Sequence, residues 1–189
     1  ILKCTRDGKR RLAAARIGAG LLLAGVLYIV CMALFLLLLN ASFDFKGLDT
    51  SLQLLVSVSV FLPVTAGQME LLIAGAGFVS LLATASFTLF LSGRMRTLAS
   101  ASIASFAFLI LPVMVYMILD GNAGNWIRCL LPSGGVGMMS SFTYAAMDTK
   151  FAYVGSLAVW LPYIMLAAAA VEDVLFAILA GVSWCRRRR

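Results

Sequence analysis

Four long apolar stretches separated by short polar breaks set the pattern of this chain. Ile17–Leu39 is uncharged over 23 residues, and Leu71–Leu91, Leu98–Leu119 and Val154–Trp184 follow it. An α-helix crosses about 30 Å of hydrocarbon with roughly 20 residues at about 1.5 Å each. The pattern therefore predicts spanning helices over 17–39, 71–91, 98–119 and 154–184. A fifth stretch, 51–69, is also uncharged, but Gln53, Pro63, Gly67, Gln68 and several hydroxyl residues interrupt it. It reads as a re-entrant or interfacial helix on the outer face, where non-helical backbone at Pro63 needs protein or water partners. The fold class is all-α: a polytopic helical membrane protein, with one transmembrane domain over 1–189.

The connections fit that division. Asn40–Thr50 is short and polar, with Asp44, Lys46, Gly47 and Asp49. Asp120–Lys150 is longer, opening on the turn Asp120-Gly121-Asn122 and continuing through Pro132-Ser133-Gly134-Gly135. Trp126 and Tyr144 are suited to anchor it at a bilayer interface. Gly134-Gly135-Val136-Gly137 reads as a loop hinge.

Composition removes the alternatives to a membrane class. The chain is 62% hydrophobic and 12% charged, against about 45–50% and about 25% in soluble domains. A water-soluble core of 189 residues could not bury that excess. The first apolar run is too long for a signal-peptide core, and a second such run follows. The chain starts at Ile1 in mid-pattern, so it is expected to be the C-terminal part of a longer protein.

Charge then selects the topology. With four spans, the N-terminal cluster Lys3, Arg6, Lys9, Arg10, Arg11 and Arg16 shares one side with Arg94, Arg96 and Arg186 to Arg189. That side holds 12 of the 15 Lys and Arg residues. If 51–69 also crossed, the split would be 8 against 7, so the positive-inside rule favours four spans with both ends cytoplasmic. The net charge of +7 does not point to nucleic acid, because the basic residues gather at helix ends without interleaved aromatics.

Candidate chemistry is sparse. Cys4, Cys31, Cys129 and Cys185 form no C-x-x-C pair and there is no histidine, so zinc ligands and a Ser/His/Asp set are lacking. Cys31 reads as a small core residue. Gly8-Lys9 lacks the remainder of a phosphate-binding loop. No catalytic, cofactor or metal site is predicted. Lys9, Arg10, Arg11 and Arg16 can serve as topological charge, as a docking surface for a soluble partner, or as both, and Asp7-Gly8 predicts a turn before their helix begins. Spacings such as Ala14/Gly18 and Ala101/Ser105 allow close helix contact.

Glu172 and Asp173 are adjacent carboxylates in the last span, where an ionised Asp costs about 2.5–3.5 kcal/mol at the helix centre. They point about 100° apart on a helix. Three readings stay open. They line a polar pathway; they face the bundle, protonated or paired; or Pro162 breaks the span and brings them nearer the interface.

The order of features resembles ABC-2-type permeases, the membrane-spanning subunits of bacterial ABC transporters. The likeness rests on Arg6-Asp7-Gly8-Lys9-Arg10-Arg11-Leu12-Ala13 leading into a span and on Pro63-Val64-Thr65-Ala66-Gly67-Gln68 closing an outer segment. Leu91-Ser92-Gly93-Arg94-Met95-Arg96 ends the next span, Leu111-Pro112 lies within the third, and Leu131-Pro132 precedes the last span and its basic tail. It covers nearly the whole chain, as the C-terminal two-thirds of a six-span protein. The resemblance implies an exporter permease that forms the translocation path, pairs with a second permease copy or a related one, and is driven by a separate cytoplasmic ATPase. That ATPase would meet the segment Lys3–Arg16. It also implies a bacterial plasma membrane location, with 51–68 as the outer re-entrant segment. Glu172-Asp173 departs from the family pattern and leaves the boundaries of the last span, or the polarity of the substrate, open. The alternatives are a non-transporting scaffold or accessory subunit and, on Glu172 and Asp173 alone, an ion-coupled transporter.

Overall fold

The computed structural model describes residues 6–55, 63–119, 121–131, 133, 136, 141–147 and 150–186. Helices dominate these: α1 (Arg6–Phe43), α2 (Leu52–Leu55), α3 (Ala66–Arg94), α4 (Leu98–Ile118), α5 (Gly121–Cys129), α6 (Ser141–Met147) and α7 (Leu161–Arg186). A hairpin of β1 (Phe151–Val154) and β2 (Leu157–Trp160) precedes α7. Four helices, α1, α3, α4 and α7, contain stretches long and apolar enough to cross a membrane.

Local chemistry sets the ends of these helices. Helix α1 runs through Asp7-Gly8, so the turn expected there is absent. An isolated Asp-Gly costs little in a helix continued by Lys9–Ala15, whose residue types favour helix. It ends where Asp44 and Phe45 adopt positive φ, and Gly47 at φ 92° completes the turn. Helix α3 starts with a capping box. The Thr65 hydroxyl accepts from the Gln68 backbone N–H at 3.3 Å, and the Gln68 side chain accepts from the Thr65 N–H at 3.1 Å. Thr97 caps α4 without the reciprocal bond, its hydroxyl accepting from Ser100 N–H at 3.2 Å.

The segment 51–69 differs from a single helix. Residues 56–62 lie outside the described region. Leu52–Leu55 is one short turn of helix, and Ala66–Met69 belongs to α3. Ser51 and Thr65 pair as an antiparallel bridge, and Leu52 N–H donates to Val64 O at 2.9 Å. The described ends of the stretch thus lie side by side.

The last predicted span begins too early, and the all-α reading needs one correction. Val154–Trp160 is not helical: it forms most of a hairpin pairing Phe151 with Trp160 and Val154 with Leu157. Gly155 takes φ 62° in the two-residue turn, as the first position of a tight hairpin turn requires. Pro162 does not break the helix but helps to start it. In the first turn its missing N–H would have no partner in any case. Helix α7 is then continuous through Glu172 and Asp173.

Helices α3 and α7 form the most extensive pair and run parallel: Ala76 lies in one cluster with Met165, Phe87 stacks on Phe176 at 4.9 Å, and Gly93 meets Trp184. Phe87 also meets Phe108 of α4 at 5.1 Å. Helix α1 runs antiparallel to both. Gly20 leaves room for Leu89 and Gly25 for Phe78, while Tyr28 donates to Ala74 O at 2.7 Å. A Cβ at Gly77 would lie 2.5 Å from the Tyr28 hydroxyl, so a larger residue there would displace that side chain from Ala74 O.

The tightest core sits at one end of the bundle. Cys129, Val136, Phe142, Ala145 and Ala152 close over Ala76, Leu161 and Met165. Asn122 clips α5 to the hairpin, donating to Tyr153 O at 3.2 Å and accepting from Tyr153 N–H at 2.9 Å. Trp126 packs into this cap and its ring N–H points to Tyr153 O at 3.4 Å, whereas Tyr144 is exposed. Large apolar side chains stay exposed along α1, α4 and α7, from Leu22 and Leu38 to Ile103, Met117 and Val171. A bilayer would cover such a surface; water would not tolerate it.

Candidate functional site

Three features carry polar chemistry: the end opposite the cap, a polar contact within the bundle, and a small pocket in the cap.

The first brings together residues far apart in sequence. Arg16 of α1 lies with its guanidinium 5.1 Å from the centre of the Trp184 ring of α7, a cation–π contact. Trp184 packs in turn on Gly93 of α3. This junction fixes the ends of three helices at one level, with Arg94 and Arg96 exposed on the adjoining α3–α4 turn. Arg10 and Arg11 are exposed one to two turns before Arg16. Lys9 lies in the backbone of α1, and its side chain is outside the described region, as are Lys3 and Arg187 to Arg189. The four sequence candidates thus divide: Arg16 is engaged within the fold, while Arg10 and Arg11 face outward. Arg94 and Arg96, which the sequence used only to set topology, join the same basic end.

The second feature resolves the paired carboxylates. The Ser86 hydroxyl of α3, fully buried, donates to Asp173 Oδ1 of α7 at 2.5 Å. Asp173 therefore faces the bundle and is paired. Because α7 is unbroken, the reading in which Pro162 moves the carboxylates to the interface is overturned. Glu172, one step round the helix, is half-buried and close enough to the cap to act on the Cys129 thiol.

The third feature had no signal in the sequence beyond the Asp-Gly-Asn turn. Gly121, Gly124, Asn125, Arg128, Lys150 and Phe151 line a pocket of about 190 Å³. Gly121 at φ 90° makes the turn, and a Cβ at Gly124 would strike the Leu119 carbonyl. Arg128 is only 2% exposed. Burial pushes the adjacent Cys129 thiol up to about 11; the Arg128 guanidinium draws it down and the Glu172 carboxylate raises it further. No cluster of three or more His, Cys, Asp or Glu side chains among the described residues is placed to hold a metal. Compared with protein-family models, curated proteins and solved structures, the chain matches none.

Proposed function

We propose that this chain is the membrane-spanning permease subunit of an ABC transporter of the ABC-2 type, an exporter driven by a separate cytoplasmic ATPase. The observation that carries the reading is the basic end. Arg10, Arg11, Arg94 and Arg96 are exposed at the end where α1, α3 and α7 meet around Trp184. A cationic surface joined rigidly to three helices suits a soluble motor that must move them. With that end cytoplasmic, the arrangement obeys the positive-inside rule in a bacterial plasma membrane. The order of sequence motifs supports the same family. ATP hydrolysis belongs to the partner, and two permease copies, or one and a related subunit, enclose the path. The ATPase drives the cycle by binding inward- and outward-open arrangements with different affinity.

The test is co-purification of the cytoplasmic ATPase that this reading requires with the Arg10→Glu/Arg11→Glu variant. Recovery is expected to fall about tenfold or more, since reversing two cations at a polar contact costs at least about 1.4 kcal/mol. Undiminished recovery, with topology verified by labelling, would sink the docking role.

A second reading, ion-coupled transport, is favoured only by the Ser86–Asp173 contact inside the bundle. It is dropped if Asp173→Asn leaves transport and its pH dependence intact.

A further inference from the structure

At the basic end, α1 and α7 leave a groove of about 740 Å³ between them. Its space comes from small residues on facing turns: Ala13 and Ala14 on α1, and Ala177 and Gly181 on α7. Ile178 and Val182 remain 62% and 43% exposed along its wall. Arg10 and Cys185 line its mouth, with Arg10 about 9 Å before Arg16 along α1. From Ala177 to Cys185 the groove follows α7 for about 12 Å, close to the depth of one leaflet of a bilayer about 30 Å thick. It is thus apolar over the length of a leaflet and cationic where that leaflet's headgroups lie.

We infer that this groove binds a phospholipid with an anionic headgroup, its acyl chain along Ala14, Ile178 and Val182 and its phosphate at Arg10. Charge decides against a second copy of the chain as occupant. A two-fold contact between copies in the same orientation sets the same patch against itself. It would bring the Arg10 of each copy to the same level as the other, with Arg11 and Arg16 close behind. An anionic lipid meets that mouth with opposite charge instead, as basic pockets between helices on the cytoplasmic side meet acidic headgroups. Arg11 lies about 100° further round α1 and does not line the groove.

The experiment is retention of lipid by the full chain, reconstituted in nanodiscs of phosphatidylglycerol and phosphatidylcholine in equal parts. Extracted protein is analysed by native mass spectrometry, and Cys185 alkylation is followed in parallel. Phosphatidylglycerol is expected to be retained about fivefold over phosphatidylcholine, the weight of one cation at an anionic surface. Arg10→Gln should abolish that preference while lipid is still retained. Ala14→Leu, at an exposed position that fills the groove, should reduce retention of both lipids and speed Cys185 alkylation. Arg11→Gln should leave the preference within about twofold of the original. The inference is overturned if Arg11→Gln matches Arg10→Gln, because the preference is then a diffuse surface effect. It is equally overturned if Ala14→Leu changes nothing, or if Cys185 of two copies cross-link efficiently, since a second copy then fills the groove.

Discussion

Gly93→Ala is the most direct probe of the three-helix junction at the basic end. An added Cβ would stand 2.9 Å from Ser183 Oγ, 3.1 Å from Trp184 Nε1 and 3.2 Å from Trp184 Cδ1. Both neighbours crowd it: Ser183 Oγ is the nearest atom, and the indole turns its near edge to Gly93 while Arg16 lies against its ring. The methyl group must therefore push α3 and α7 apart at their last turns or drive Trp184 off its rotamer. Overpacking of this kind costs about 1–3 kcal/mol. Reversible denaturation in mixed micelles of lipid and SDS, followed by circular dichroism, measures it directly. Gly93→Ala should lower stability by about that amount, and Ser183→Ala in the same background should restore part of it, since it removes the nearest atom. Ser183→Ala alone should be close to neutral. Wild-type stability for Gly93→Ala, or no recovery in the double variant, would refute the packing argument.

Three further outcomes follow from the geometry. A double-mutant cycle of Ser86→Ala and Asp173→Ala should give a coupling energy of about 0.6 kcal/mol and no more than about 1.7, the average and maximum for hydrogen bonds between membrane helices; a value of zero would mean that the contact contributes nothing. Cys129 should resist iodoacetamide at neutral pH, being buried and with its thiol pushed up to about 11. An unfolded thiol ionises near 9 and the folded one near 11, so the Cys129 contribution to stability is intact below pH 9 and is lost as pH rises towards 11. Subtracting the Cys129→Ala profile from the parent's should isolate that decline, and a flat difference would contradict the assignment. Asn122→Ala should cost about 0.5–1.5 kcal/mol and speed amide exchange at Tyr153, whose N–H it leaves to water.

Apolar run length reaches most of this architecture, because a long apolar helix leaves a long uninterrupted signal. Leu98–Ile118 falls almost on the apolar run 98–119, and α1 and α3 extend past theirs only by their polar ends. The hairpin was hidden for a physical reason. Val154–Trp160 is nearly as apolar as the helix it precedes, and hydropathy cannot separate a short apolar strand from a helical turn. Signals that could have found it were present: Gly155-Ser156 as a turn, β-branched Val154 and Val159, and Pro162 in a starting position. The Thr65-Ala66-Gly67-Gln68 capping box was also readable as the true start of α3. The partner of Asp173 was not legible, because Ser86 lies 87 residues away and only the parallel course of α3 and α7 brings them to one level.

That parallel course has a consequence for synthesis. At about 5–20 residues per second, roughly 4–17 s pass between translation of Ser86 and translation of Asp173. Throughout that interval α3 must persist without the α7 acceptor. Its neighbours show how: Thr84 and Thr88 return their hydroxyl protons to carbonyls one turn back, at 2.9 and 2.8 Å. Ser86 can wait in the same manner, its polarity folded into its own helix. The carboxylate-bearing α7, made after α3, arrives with its hydroxyl donor already in place.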